Sequence, residues 1–178
     1  MDEPQVPSQI NLDNDDWGYL VDRNSCPLRW IKLLLLQDKD ISRDVSESEY
    51  LKETRTRLGQ QGNGGRGNDA VVSIISRFLG KVWEHTLDEI QHHINASDLE
   101  ALPFRVAITI PAIWPQYARE KMREAARRAG IIAHRPIGET FFMLVEEPEA
   151  AALATLFERR NYPDIRVCEL FIRRRTKN

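Results

Sequence analysis

Phe104-Arg105-Val106-Ala107-Ile108-Thr109-Ile110-Pro111-Ala112-Ile113-Trp114-Pro115 is the stretch that decides the fold. Its first seven residues are rich in β-branched side chains and bounded by Pro103 and Pro111, which predicts a strand. Pro111 to Pro115 then reads as a loop, and Pro115 suits the first turn of a following helix. That helix is expected to reach Ala129 and to stop at Gly130, the residue type favoured just past a helix end. Ala118, Met122, Ala125, Ala126 and Ala129 form a stripe of mostly small side chains along it, which lets a helix lie close on a sheet. Arg119, Lys121, Arg123, Arg127 and Arg128 occupy much of the rest. Such a basic helix could bind nucleic acid, but interleaved Glu120 and Glu124 favour a salt-bridged solvent face.

Downstream, Ile131-Ile132 leads to a second strand, Phe141 to Val145, and then to Glu146-Glu147-Pro148-Glu149-Ala150-Ala151-Ala152-Leu153-Ala154. A strand that ends in an acid and a proline delivers a carboxylate to its C-terminal end, where α/β sheets place their ligands. Glu147 and Glu149 also suit a first helical turn through the helix dipole, and for Glu149 that is the preferred reading.

Upstream the signals weaken. Gln9 to Leu12 alternates like a short strand, Asp13 to Asp16 is an acidic turn, and Trp17 to Val21 offers a second strand. Leu28 to Leu36 is apolar apart from its basic interruptions, so it is expected to be buried, as helix or as strand. Ser46 and Glu49 have capping-box spacing and open a helix through Leu58. Gly59 to Asn68 is too dense in glycine for regular structure and reads as a flexible loop; it matches no phosphate-binding glycine motif. Asp69 to Asn95 carries the longest helical stripe, with Val72, Ile75, Leu79, Val82, Ile90 and Ile94 on one face. His85, Glu89 and His93 share a line on that helix, and a solvated face is favoured over a metal site.

The bulk numbers exclude several classes. With 42% hydrophobic and 29% charged residues, the chain is too apolar to be wholly disordered. A net charge of -2 gives no global field towards nucleic acid or an anionic membrane. Unbroken apolar runs such as Leu33 to Leu36 are far short of the roughly 20 residues that span a bilayer. Cys26 and Cys168 lie far apart, which fits a reducing, cytoplasmic setting.

Together, Thr109-Ile110-Pro111-Ala112-Ile113-Trp114 with Arg119 and Ala129-Gly130, followed by Glu147-Pro148-Glu149-Ala150-Ala151-Ala152, resemble the ATPase domain of the seventy-kilodalton heat-shock chaperones, most closely a divergent branch common in fungi. In that family the patterns read T-[VI]-P-A and E-P-x-A-A-A, in this order. The resemblance is strong from Ala70 to Phe157 and looser from Val6 to Leu36. It implies an α/β fold: part of an actin-like, ribonuclease-H-like ATPase lobe, a mixed sheet with flanking helices, working with ATP and Mg²⁺. Residues 1–58 would then be partial N-terminal strands and a helix, 59–68 a loop, 69–168 the lobe core, and 169–178 a basic tail unlike the family.

Carried over by position, the resemblance makes Pro111 the proline that switches between nucleotide states and Arg119 the arginine that relays the switch. It makes Glu147 the acid near the magnesium-bound and attacking waters. Lys32 matches the lysine that faces the γ-phosphate, although a surface lysine with a buried stem fits its setting equally well. No residue is assigned as a direct cofactor or metal ligand.

Phosphoryl transfer to water needs cradled phosphates, a held magnesium ion and a positioned nucleophile. The family's acid-x-Gly-Thr-Thr hairpin is expected before Val6 and its triple-glycine turn after Cys168, and the sequence holds neither. The expectation is therefore a truncated ATP-binding domain without ATPase activity of its own. A non-enzymatic module that binds other proteins, and a nucleic-acid-binding basic helix, remain as the other two classes; no membrane partner is expected.

Overall fold

The computed structural model describes residues 6–22, 24–61 and 67–158. The chain divides into two units, one of Met1–Ala107 with Trp114–Met143 and one of Ile108–Ile113 with Leu144–Asn178.

The first unit opens with β1 (Gln9–Ile10), paired antiparallel with β2 (Leu28–Arg29) so that Ile10 faces Leu28. The strand expected over Trp17–Val21 is not formed. Trp17 makes one bridge to Ile10, and Gly18–Leu20 then turns into a 3₁₀ helix. Gly18 sits at φ +58°, a left-handed geometry that ends an extended run and that glycine adopts without steric cost. Ahead of it, the side chains of Asn11 and Asn14 accept from the backbone N–H groups of Asp13 and Asp16, closing the acidic turn.

The Leu28–Leu36 stretch turns out to be neither one helix nor one strand. It breaks at Trp30, which lies at φ 54°, and Ile31–Leu35 continue as a 3₁₀ helix. Ile31, Leu34 and Leu35 are buried in it, and Lys32 is half-buried.

Helix α1 (Arg43–Ser46) and helix α2 (Glu49–Gln61) follow. The capping position is Ser48, not Ser46: Ser48 Oγ accepts from the Leu51 N–H at 3.4 Å, while Ser46 Oγ donates to the Arg43 carbonyl inside α1. Helix α2 runs past Leu58 through Gly59, and α3 (Gly67–Gln91) begins inside the glycine-rich stretch. The expected loop thus gives its two ends to helices, and its middle lies outside the described residues. Helix α3 stops short of Asn95, where extended backbone (φ −71°, ψ 154°) starts α4 (Ala96–Ala101).

Next come β3 (Arg105–Ile110), α5 (Gln116–Arg128), β4 (His134–Arg135), β5 (Gly138–Glu139), β6 (Phe141–Glu146) and α6 (Glu147–Glu158). The described residues therefore form a mixed α/β structure with small sheets. Instead of one mixed sheet, they form three two-stranded ones, β1–β2, β3–β6 and β4–β5. The β4–β5 hairpin carries little hydrophobic alternation, so the sequence did not announce it.

The core of the first unit lies where α3 packs on α5 and on the Ile31–Leu35 turn. Val71, Val72, Ile74 and Ile75 come from α3, and Ala118, Met122, Ala125 and Ala126 from α5, all buried. The alanines allow close approach, as the stripe predicted, but to α3 and the Ile31–Leu35 turn where a sheet was expected. Each large aliphatic side chain buried here contributes about 1.5–3 kcal/mol against leaving it in water. Helix α5 ends in a doubly bonded turn: Gly130 N–H donates to Arg127 O and Ile131 N–H to Ala126 O. Gly130 takes φ +77°, and Ile131 tucks its side chain into the core at 4% exposure.

The second unit contains the ends of β3 and β6 and the whole of α6. Helix α6 starts directly at Glu147, and Pro148 in its first turn sacrifices no helical hydrogen bond.

Candidate functional site

The residues singled out from the sequence fall into two pairs. Lys32 and Arg119 belong to the first unit, Pro111 and Glu147 to the second. Lys32 sits in the Ile31–Leu35 turn and Arg119 in the first turn of α5, and these two elements pack together. Arg119 is half-buried, and its Nε donates to the Trp114 carbonyl at 3.1 Å. Backbone N–H groups of Ala118 and Arg119 both point to the Pro115 carbonyl. Pro115 is the residue before the helix and makes no side-chain cap, and the Arg119 bond to the Trp114 carbonyl ties the end of the loop to the first turn of α5. Trp114 is anchored at 4% exposure.

In the second unit, Pro111 follows the fully buried Ile110 and is itself half-buried. Glu147 is exposed at the start of α6, where the partial positive charge of a helix N-terminus favours a carboxylate. Glu149 shares that turn.

The resemblance implies ATP and Mg²⁺. Magnesium usually keeps several waters and takes one or two carboxylates plus phosphate oxygens, so an exposed carboxylate such as Glu147 suits its chemistry without a closed protein cage. Among the described residues, no group of three or more histidine, cysteine or acidic side chains is gathered closely enough to hold a metal. His85, Glu89 and His93 are all exposed, and the His85 ring meets Trp17 edge-on at 5.8 Å.

Helix α5 makes its basic residues part of the architecture. Arg128 bonds Glu124 at 2.9 Å and Asp69 at 2.8 Å, and Arg127 also bonds Glu124. The two guanidinium groups hold the Glu124 carboxyl below its ordinary range, Arg128 most strongly. Arg123 lies over the Phe142 ring, 5.5 Å from its centroid. The salt-bridged face expected from Glu124 is what forms.

Sequence reasoning missed one cluster. Tyr117 accepts from the Gln37 N–H at 2.8 Å and donates to the Asp40 carboxylate, tying α5 to the segment after the Ile31–Leu35 turn. Partial burial, and then the bond to Asp40, hold the Tyr117 hydroxyl above its ordinary value. One turn on, Lys121 Nζ donates to the Leu35 carbonyl at 3.3 Å. The i, i+4 spacing of Tyr117 and Lys121 was the available signal, but nothing local names their distant partners.

No protein-family model matches the chain, and no solved structure does. Three curated relatives are similar over part of it. Heat shock 70 kDa protein 12A of Mus musculus is 30% identical over 129 residues, covering 65% of this chain and 19% of the relative. Heat shock 70 kDa protein 12B of Homo sapiens is 39% identical over 82 residues, covering 46% of this chain and 12% of the relative. Heat shock 70 kDa protein 12A of Homo sapiens is 37% identical over 82 residues, with the same coverage. The chain thus spans between an eighth and a fifth of the relatives it matches, and its likeness is to proteins named as seventy-kilodalton heat-shock proteins.

Proposed function

We propose that the chain is part of an actin-like, ATP-binding lobe of the seventy-kilodalton heat-shock type, of the divergent branch indicated by its sequence. The observation that carries this reading is the strand–loop–helix of β3 and α5, followed by β6 running straight into Glu147-Pro148 at the start of α6. The partial likeness to the 12A and 12B proteins supports it. In this reading Lys32 faces the terminal phosphate, Glu147 lies near the water shell of a magnesium ion, and Pro111 with Arg119 reports the nucleotide state. Mg²⁺ would neutralise phosphate charge when bound; Glu147 would orient water, and the Arg119 tether to Trp114 would fix the loop that carries Pro111.

The same reading makes the chain alone a poor catalyst. Transition-state charge is stabilised by several converging donors in a water-excluded cleft, and the sequence holds neither of the family's glycine-rich phosphate hairpins. Its setting in this reading is cytoplasmic; the described helices include none long and apolar enough to cross a membrane. Titrating the purified chain with Mg-ATP while following backbone amide resonances tests the assignment. Weak, saturable shifts confined to the surroundings of Lys32, Pro111, Arg119 and Glu147 are expected. Shifts scattered elsewhere, or none at all, would remove the nucleotide reading.

A protein-binding module is the second reading, favoured by one observation. Along β6 the exposed positions are Phe141 at 57% and Met143 at 40%, large apolar groups where a solvated strand would carry polar ones.

A further inference from the structure

Trp30 stands at φ 54°, a left-handed geometry that a bulky side chain rarely adopts and that its surroundings must enforce. The ring is 44% exposed and meets the Tyr50 ring from the first turn of α2. The two centroids lie 5.8 Å apart with the planes tilted by 48°, and Tyr50 is itself 53% exposed. The strained turn thus holds two large rings side by side at the surface. Tryptophan and tyrosine are the residues enriched where proteins meet partners, because each joins an apolar body to a polar tip. Among the described residues, neither the Trp30 indole N–H nor the Tyr50 hydroxyl makes a hydrogen bond, so both donors face outward unused.

Beside Tyr50 lies a cavity of about 100 Å³, lined also by Pro27, Arg29, Glu53 and Thr54. Arg57 Nε lies 3.6 Å from Glu53 Oε1, so the one carboxylate on the wall is compensated. Arg29 is exposed, and among the described residues its guanidinium makes no ion pair. The wall therefore keeps one uncompensated positive charge, which favours an acidic occupant. Backbone geometry narrows the occupant further. Thr54 donates to the Arg29 carbonyl at 3.3 Å, so an incoming strand finds that acceptor of β2 already taken by α2. A docked helix is anchored over two turns or more, whereas rings 5.8 Å apart offer little more than one turn. A polyproline helix rises about 3.1 Å per residue, so the same spacing matches two of its residues. Its carbonyls carry no internal hydrogen bonds and accept from the donors that tryptophan and tyrosine present.

We propose that Trp30 and Tyr50 bind a proline-rich segment of a partner protein that carries an acidic residue beside its prolines. The proline rings lie on the two aromatic side chains, and the acid pairs with Arg29. The site shares none of Lys32, Pro111, Arg119 and Glu147, nor Phe141 and Met143, so it stands or falls apart from both readings of function.

Three capped peptides separate the contributions in titrations of the full chain followed by NMR: six prolines then two aspartates, six prolines then two arginines, and alternating glycine and serine then two aspartates. The first should saturate at or below about 1 mM, the second should bind about threefold weaker, and the third should not saturate. Tyr50→Ala, at an exposed helix position, should weaken the first peptide about tenfold while the circular dichroism stays unchanged. Trp30→Gly should do the same and keep the fold, because glycine adopts this backbone freely. Arg29→Gln should make the two proline peptides bind equally. Equal binding of the glycine–serine peptide, binding unaltered by Tyr50→Ala, or no saturation by the first peptide would each overturn the proposal. So would self-association of the chain that Tyr50→Ala abolishes, which would give this face to a second copy.

Discussion

Helix α5 and the segment from residue 6 to 41 meet in the same unit, yet they obey different rules. In α5 the apolar stripe, the basic last turn and Gly130 all appear in the sequence where the structure uses them. In the earlier segment, two short paired strands, 3₁₀ turns and two non-glycine residues at positive φ follow no local periodicity. A helix satisfies its backbone internally, so its signals are local. Two-residue strands satisfy theirs only through distant partners such as Ile10 with Leu28, and the 3₁₀ turns between them hold only a few local bonds, such as Leu33 N–H to the Trp30 carbonyl.

The comparison can be broken most severely at the core that both regions share. Leu35→Ala and Ile75→Ala should each cost about 2–5 kcal/mol, because both side chains are fully or almost fully buried and their neighbours cannot collapse into the space. Urea unfolding would measure this. If Leu35→Ala cost far less than Ile75→Ala, the 3₁₀ segment would not be part of the core. Ala125→Leu tests the small-residue stripe from the opposite direction, and overpacking there should cost about 1–3 kcal/mol.

Two glycines sharpen the contrast. Gly130→Ala should cost about 1–2 kcal/mol from the left-handed backbone alone, since an added Cβ meets nothing within 4 Å. Gly18→Ala should cost more, because its Cβ would also approach Val6 Cγ1 to 2.7 Å. Thermal melts that ranked the two in the reverse order would place the weight of backbone geometry on α5 instead.

The tie between the two regions is smaller still. Tyr117→Phe should lose about 1–2 kcal/mol, as the bonds to Gln37 and Asp40 disappear. Because the folded hydroxyl titrates above its unfolded value, its contribution is complete below about pH 10 and is lost as pH rises through the raised value. Stability curves of the wild type should therefore fall more steeply in alkali than those of Tyr117→Phe. The smallest effect is expected at Glu124. Its folded carboxyl is held low, so its stabilisation is present above the ordinary carboxylate value and fades as pH falls through the lowered one. Glu124→Gln should remove that small stabilisation near neutrality and so flatten the acid limb, the two proteins converging as pH falls.

How much was legible follows from the same division. Strand β3, helix α5, strand β6 and the start of α6 could be read residue by residue, including Ala118, Met122, Ala125 and Ala126 as the buried face. The order Pro111, Arg119, Glu147 could be read as a site only through resemblance, because nothing local joins a loop proline to an acid beyond another helix. Trp30 at φ 54° was invisible, since no residue type there signals a left-handed turn. Ser48 was passed over for Ser46 because α1 and α2 abut, and their sequence reads as one helix start. The Tyr117–Asp40 clasp and the Trp30–Tyr50 pair depend on how far-apart segments pack, which one-dimensional patterns do not encode.

The central proposal is that this chain is part of a nucleotide lobe and turns over no ATP by itself. Single-turnover phosphate release, with the purified chain in excess over Mg-ATP and Glu147→Gln measured alongside, tests it most directly. The account predicts that both proteins remain at the background rate. Phosphate release by the wild type that Glu147→Gln abolishes would contradict it.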